Sequence, residues 1–307
     1  MPGTPRPIDS FRERLAAFAG ELNGVEQGSV DALHRARVAS RRLRELVPLL
    51  ELDHDTARKI TRRLRKVTRQ FGTVRELDVL IRLIDDLDNE GGYPSAALTT
   101  LSQVVGHRRD VARERLSEKL PASRLERLVN RLERAVNDRK SNDANRRGAG
   151  PRRSKRAWLW ALDARLARRA ARVQSTIEAA GALYAAEPLH DVRIALKKLR
   201  YAAELSLEAG RPRLTTDLSA LKAAQELLGR LHDYEVLVAL GREVQASLFP
   251  PNLAMWRELK RLVHAIEDDC RQMHARYMRD RTRLIAIAGR FGAGQTVAPD
   301  STERAAG

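Results

Sequence analysis

The chain has 307 residues, which is enough for one large domain or two of ordinary size. Hydrophobic residues make up 43% of it and can fill a core, whereas aromatic residues make up only 4%, so the core should consist mainly of Leu, Ala and Val, as in helical bundles. The formal net charge of +17 favours polyanionic partners, and the single cysteine, Cys270, excludes an intrachain disulfide framework.

The sequence shows neither a membrane span nor a secretory signal. Its apolar runs do not approach the roughly 20 residues that cross a bilayer. The first residues, MPGTPRPIDSFRERL, lack the apolar segment of a signal peptide. Together with the single cysteine, these features predict a soluble protein of the reducing cytoplasm that has no membrane partner.

Good helix formers dominate the chain and sustained strand alternation is absent, which predicts an all-α fold. Pro48 and Pro121 should interrupt helices, and Gly72 and Gly229 should each separate two neighbouring helices. The predicted helices lie at about 11–22, 30–52, 57–71, 74–87, 95 onward, 157–180, 188–209, 213–228, 230–245 and 252–288.

Capping residues mark two of the predicted helix starts. Ser29 or Asp31 should cap the second helix, and Asp55 or Thr56 should cap the third, because a side-chain oxygen there can accept a hydrogen bond from an unpaired backbone N–H.

The polar segment SNDANRRGAGPRRSK divides the chain into two halves of similar organisation. We predict a disordered lead-in at residues 1–8 and a disordered tail at residues 291–307. Between them should lie a first helical bundle at 9–140, a linker at 141–155 and a second helical bundle at 156–290.

Two segments carry cationic residues at helical spacing. The segment 34–45 reads HRARVASRRLRE and the segment 190–201 reads HDVRIALKKLRY. At about 100° per residue, the first, fourth, eighth and eleventh positions of each fall within an arc of roughly 80°. These positions hold His34, Arg37, Arg41 and Arg44, and His190, Arg193, Lys197 and Arg200. Apolar residues occupy another face of each helix: Leu33, Ala36, Leu43, Val47 and Leu50, and Leu189, Val192, Leu196, Leu199 and Ala203. A basic stripe beside a core-facing stripe, present twice, predicts a site for a multiply anionic ligand.

The predicted third helix is also basic. No acidic residue occurs from Thr56 to Arg75, and the cations Arg58, Arg62, Arg65 and Arg69 share one face. Like charges on one helix face repel by a few tenths of a kcal/mol per pair. An anionic neighbour would explain why they are placed together.

The two halves repeat beyond the stripes. The segment LRKVTRQFGTVRELDVL (64–80) aligns with LKAAQELLGRLHDYEVL (221–237), so that Gly72 matches Gly229 and Asp78 matches Glu235. The spacing from His34 to Gly72 is 38 residues and that from His190 to Gly229 is 39. This repeat predicts two helical bundles related by a pseudo-two-fold axis, with the two basic helices facing one groove.

The second stripe, its degenerate upstream copy and the repeated glycine segments resemble the conserved-histidine α-helical domain, or CHAD, family. The resemblance extends over roughly residues 9–289, with RELD at 75–78 in place of the commoner RDLD. It implies a pair of four-helix bundles around a basic cavity that binds inorganic polyphosphate, and in some members an association with polyphosphate granules. By position, the implied ligand-facing residues are His34, Arg37, Arg41, Arg42, Arg44, His190, Arg193, Lys197, Lys198 and Arg200.

Polyphosphate suits such residues chemically, because Arg offers phosphate a fork of donors and Lys a compact charge. We add further candidates from the acid-free helix and its surroundings: Arg62, Arg65, Lys66, Arg69, Arg75, Lys222 and His232. The prediction is non-enzymatic binding of inorganic polyphosphate in the cytoplasm or on its granules, without a cofactor or metal. The pattern identifies no protein partner.

Several alternatives stay open at the level of sequence. Arg-rich helix faces are commonly solvated surface. Non-specific RNA or DNA binding would use the same charge, although aromatic residues are few and no groove-reading motif is present. A metal-dependent phosphohydrolase would need ligand pairs such as His190–Asp191 and His232–Asp233, yet adjacent helix residues point about 100° apart. A phosphotransfer bundle centred on His190 would need small residues around that histidine, and they are missing.

Overall fold

The computed structural model of the chain describes residues 7–50, 52–145, 151–210, 215–248 and 252–293. In chain order the helices are α1 (Pro7–Gly20), α2 (Leu22–Glu26), α3 (Val30–Leu46), a 3-10 turn (Val47–Leu49), α4 (His54–Glu90), α5 (Ser95–Lys119), α6 (Ala122–Asn145), α7 (Pro151–Ala180), α8 (Ala186–Glu208), α9 (Thr215–Ala246) and α10 (Leu253–Ala293). No strand occurs within the described residues, and the all-α prediction is confirmed.

Two predicted helix breaks are wrong. Helix α4 continues through Gly72 over 37 residues, and α9 continues through Gly229 over 32 residues. A glycine inside a helix costs only about 1 kcal/mol relative to alanine. The buried residues on either side of Gly72, Phe71 and Val74, offset this cost by packing in the core.

The predicted caps and proline breaks have mixed outcomes. Ser29 caps α3, where its Oγ accepts a hydrogen bond from the Ala32 N–H at 3.3 Å. Helix α4 is instead capped by Asp53, two to three residues earlier than predicted, where its side chain accepts a 2.9 Å hydrogen bond from the Thr56 N–H. Pro48 interrupts its helix as predicted: α3 ends at Leu46 and a 3-10 turn follows. The predicted interruption at Pro121 is confirmed by the gap between α5 and α6.

The predicted linker is partly helical. Helix α6 extends to Asn145 and α7 begins at Pro151, so both extend into the segment 141–155. Residues 146–150 lie outside the described residues, as do most of the predicted lead-in (1–6) and most of the predicted tail (294–307).

The helices form two units, each of which is described by itself. The α3 unit consists of residues 5–150 and 231–272, and the α8 unit consists of residues 1–4, 151–230 and 273–307, as far as the structure describes them. The boundaries fall within α9 and α10. The pseudo-two-fold relation between the repeats and the shared groove stay predictions.

The core of each unit contains the apolar stripe predicted for its basic helix. In α3 and the turn after it, Leu33, Ala36, Leu43, Val47 and Leu50 are all buried. In α8, Leu189, Val192, Leu196, Leu199 and Ala203 are buried as well. Because these faces are fixed against the core, the cationic positions of each helix are turned away from it.

Within the described ranges, no helix combines the length and the apolar character that a bilayer crossing requires.

Candidate functional site

A buried pair of hydroxyl groups fixes α3 against α4. Ser40 Oγ lies 2.9 Å from Thr68 Oγ1, and both residues are buried. Each hydroxyl also contacts its own helix, at Arg37 O (2.8 Å) and Leu64 O (2.7 Å). This contact sets how the two helices face each other one turn away from the cationic residues.

The cationic residues of α3 and α4 meet in one cleft, which we call the α3–α4 cleft. Its volume is about 260 Å³. It is lined by Arg37, Arg44, Arg65, Thr68, Arg69, Gly72, Thr73 and Glu76. Four arginines that the sequence placed on two separate helices therefore share one concave surface, with a single carboxylate among them.

Gly72 makes room for the central arginine of this cleft. A Cβ atom at Gly72 would lie 3.5 Å from Arg37 Nε and 3.6 Å from its Nη2. The matching pair occurs in the α8 unit, where a Cβ at Gly229 would lie 3.9 Å from Arg193 Nε. A longer side chain at either glycine would occupy the space of the guanidinium group. The glycines that the repeat aligned thus serve close side-chain approach rather than helix termination.

His34 lies among cations. Desolvation lowers its pKa first, and the nearby charges of Arg75 and Arg37 lower it further. Burial also lowers the pKa of Arg75. Two predicted ligands from different helices are therefore close enough to repel when both are charged. An anion at this position would remove that repulsion.

The remaining candidates on α3 and α4 are not in the cleft lining. Arg41 is half-buried, and Arg42 and Arg62 are exposed. Lys66 lines a different groove, between α4 and α6. The acid-free helix therefore presents its cations to more than one surface.

The predicted ligand residues of α8 are the stripe His190, Arg193, Lys197 and Arg200 together with Lys198, and each of these is half-buried. Arg193 Nε is buried and has no hydrogen-bond partner among the described residues. In contrast to Arg193 Nε, the guanidinium N–H groups of Arg200 have hydrogen-bond partners within the protein. Its Nε donates to Gln225 Oε1 at 2.8 Å, its Nη1 to Glu204 Oε1, and its guanidinium lies over the Tyr201 ring.

Two candidates outside the stripes have acidic neighbours on their own helix. Lys222 is exposed and lies 3.8 Å from Glu226. His232 Nδ1 lies 3.8 Å from Glu235 Oε2. Lys222 belongs to the α8 unit and His232 to the α3 unit.

The sequence interpretation missed a cationic surface that adjoins the α3–α4 cleft. A second cleft of about 540 Å³ between α4 and α5 shares Arg69 and Thr73 with the first. Its other basic lining residues are His107, Arg108, Arg115 and Lys119. Arg108 is held by both carboxylate oxygens of Glu243, which raises its pKa. The cations of α5 do not belong to the sequence repeat, so the sequence offered no reason to select them. The packing of α5 on α4 brings them next to the α3–α4 cleft.

The aligned acidic residue of the first half lies against an arginine. Asp78 is buried, and its Oδ1 lies 3.5 Å from Arg113 Nη2. Its charge also raises the pKa of Arg75, opposing the effect of burial. Among the described side chains, His, Cys, Asp and Glu form no group of three or more that could hold a metal ion.

The arrangement offers many N–H donors and positive charge on a concave surface with little acid. Such a surface can bind phosphate oxygens by charge-assisted hydrogen bonds. It would release counterions on binding, so the affinity should fall steeply as salt increases.

Comparison with known proteins points to one family. The profile of the CHAD domain matches residues 9–242 of the chain. Among solved structures, the crystal structure of the CHAD domain from the plant Ricinus communis is similar, with a TM-score of 0.57 and 22% sequence identity over 95% of this chain and 94% of that one. No curated protein sequence matches.

Proposed function

Because the chain belongs to the CHAD domain family, we propose that it binds inorganic polyphosphate without catalysis, through the histidine, arginine and lysine residues of α3, α4 and α8. The observation that carries this proposal is the α3–α4 cleft, where four arginines from two helices surround a space with one carboxylate. Isolated cationic stripes of solvated helices would not be expected to converge in this way.

The same surface attracts any polyanion, so the identity of the polymer rests on the shape and composition of the cleft. Proteins that bind single-stranded nucleic acid add aromatic platforms on which bases stack. The residues that line the α3–α4 cleft include no aromatic side chain. A polymer of phosphates without bases therefore fits this lining better than RNA or DNA does.

Competition tests this choice. Labelled long-chain polyphosphate is bound to the protein at about 150 mM salt and challenged with equal phosphate equivalents of unlabelled polyphosphate, single-stranded RNA, duplex DNA or orthophosphate. We expect only unlabelled polyphosphate to displace the label. Equal displacement by RNA or DNA would make nucleic acid the leading ligand.

Two arginines of α8 offer a matched test of the second stripe. Arg193→Gln should weaken polyphosphate binding, because the buried Nε of Arg193 has no protein acceptor among the described residues. Arg200→Gln removes the same charge, but that guanidinium already bonds to Gln225 and Glu204, so it should lower thermal stability more than affinity. Equal losses of affinity would indicate that only total charge matters.

For the cellular role, we infer a cytoplasmic location and targeting to, or scaffolding of, polyphosphate granules, as the family resemblance implies. Imaging the tagged protein with and without polyphosphate synthesis in the host cell tests this inference. Granule localisation that persists without the polymer would argue against it.

A further inference from the structure

A third cationic surface lies between α4 and α6 of the α3 unit, and we call it the α4–α6 groove. Its volume is about 520 Å³. Its cationic lining residues are Arg63, Lys66, Arg124, Arg127 and Arg131, and its other lining residues are Val67, Leu120, Leu125 and Leu128. Its described lining residues include no acidic side chain. With five cations and no carboxylate, its lining contains less acid than that of the α3–α4 cleft.

No carboxylate in the part of the chain that the structure describes forms an ion pair with the cations of this groove. Arg124 donates to a backbone carbonyl, Lys119 O, at 2.7 Å. Among the described residues, no salt bridge involves Arg63, Lys66 or Arg127, and none involves Arg131. Desolvation lowers the pKa of Arg63, and the charge of Arg131 across the groove lowers it further. The two helices therefore hold like charges close together, which costs free energy until an anion lies between them.

The apolar residues that line the groove would contribute little free energy to the binding of an apolar ligand. Val67 and Leu125 are each 3% exposed and Leu128 is 7% exposed, so their surface is already removed from water. An amphipathic peptide helix would find almost no apolar area to bury there. The lining also contains no aromatic side chain on which a nucleic-acid base could stack. Recognition in this groove must therefore come from charge and hydrogen bonding.

The spacing of the cations suits a linear ligand. Arg124, Arg127 and Arg131 lie at i, i+3 and i+7 on α6, which places them along one face over about 10 Å of helix. Arg63 and Lys66 are spaced in the same way on α4. Two rows of cations that line one groove can contact successive phosphates of a polymer from both sides.

The groove is distinct from the α3–α4 cleft although both use α4. At about 100° per residue, the α4 residues of the groove point roughly 140° away from those of the cleft. No residue lines both surfaces. A short anion in the cleft cannot also contact Arg63 or Lys66 from the same position.

We propose that the α4–α6 groove is a second binding site for inorganic polyphosphate, separate from the α3–α4 cleft. The site takes a further segment of the polymer, so a long chain gains affinity by occupying both surfaces at once. This inference rests on the proposed function for the identity of the polymer and goes beyond it in assigning a site outside the histidine-containing stripes.

The test measures how many short polyphosphate chains bind to each of four proteins. The chains have a defined length that is too short to extend around α4. The four proteins are the parent, a groove variant (Arg127→Gln with Arg131→Gln), a cleft variant (Arg37→Gln with Arg69→Gln) and a control variant (Arg172→Gln with Arg257→Gln). The control removes the same charge from exposed positions outside both surfaces. Titration calorimetry gives the number of chains bound, and circular dichroism verifies that each variant is folded.

We expect the groove variant to bind one chain fewer than the control while keeping the chain held by the cleft, and the cleft variant to show the converse. A groove variant that matches the control in both stoichiometry and affinity would overturn the second site and leave the proposed function intact. Loss of a chain in the groove variant but not in the cleft variant would retain the second site and contradict the proposed role of the cleft. A parent that binds no chain would overturn both.

Discussion

Removing two arginines from the α3–α4 cleft should weaken polyphosphate binding far more than their charge alone explains. Arg37 is half-buried beside Gly72, where a charge-assisted hydrogen bond to phosphate contributes about 1.5 kcal/mol. Arg69 is exposed, and a contact there contributes about 0.5 kcal/mol. Their sum of about 2 kcal/mol corresponds to a roughly thirtyfold increase in Kd for Arg37→Gln with Arg69→Gln.

Fluorescence anisotropy with labelled polyphosphate at several salt concentrations measures this change. Losing two phosphate contacts should also reduce the slope of log K against log salt by about 1.4, from the single-strand coefficient of about 0.7 per contact. The control Arg172→Gln with Arg257→Gln removes the same charge from exposed positions. Since charges beyond a Debye length of about 8 Å are largely screened at physiological salt, this control should lose less than about threefold. Equal losses in the two double variants would refute the reasoning, because binding would then depend on total charge.

Three further predictions follow from single positions. The lowered pKa of His34 means that the ligand-free protein should lose stability as pH falls from 6.5 through the lower folded-state pKa, because the unfolded chain then binds more protons. Bound polyphosphate favours the charged imidazole, so affinity should instead rise over that range, and His34→Gln should flatten both profiles in melting and binding titrations. Gly72→Ala places a methyl group at ordinary contact distance from Arg37, so it should raise the free energy of unfolding by up to about 1 kcal/mol with little change in affinity. Gly72→Leu should displace that guanidinium and weaken binding, and unchanged binding would show that its position is unimportant. Arg113→Ala should lower the free energy of unfolding in urea by about 2–3 kcal/mol, because the carboxylate of Asp78, only 2% exposed, would lose its charged partner. Adding Asp78→Asn should recover part of the loss, and no recovery would mean that the arginine acts through packing alone.

The fold class and the two basic helices could be predicted because they depend on local rules. Helical periodicity separates Leu43 from Arg44 on the surface of α3 whatever the rest of the chain does, and both lie where the pattern placed them. The end of α4 at Gly91 is equally local, because its φ of 71° is one that glycine adopts without strain. The same local rule, that a glycine ends a helix, gave wrong predictions at Gly72 and Gly229. Whether a glycine ends a helix depends on what packs against it, and at both positions an arginine side chain from the neighbouring basic helix does.

The sequence by itself determined an all-helical chain, a twofold repeat of a histidine-headed basic stripe, and a charge that favours polyanions. These features reside in composition and in spacing along single helices. Only the tertiary structure decided which cations meet. It placed Arg37 and Arg44 of α3 with Arg65 and Arg69 of α4, and assigned Lys66 to another groove. It also placed Arg200 where its guanidinium donates hydrogen bonds to Gln225 and Glu204. The physical reason is that a helix face is defined by residues three and four apart, whereas a cleft is defined by which two faces pack together. That choice is made by core contacts such as the one between Ser40 and Thr68.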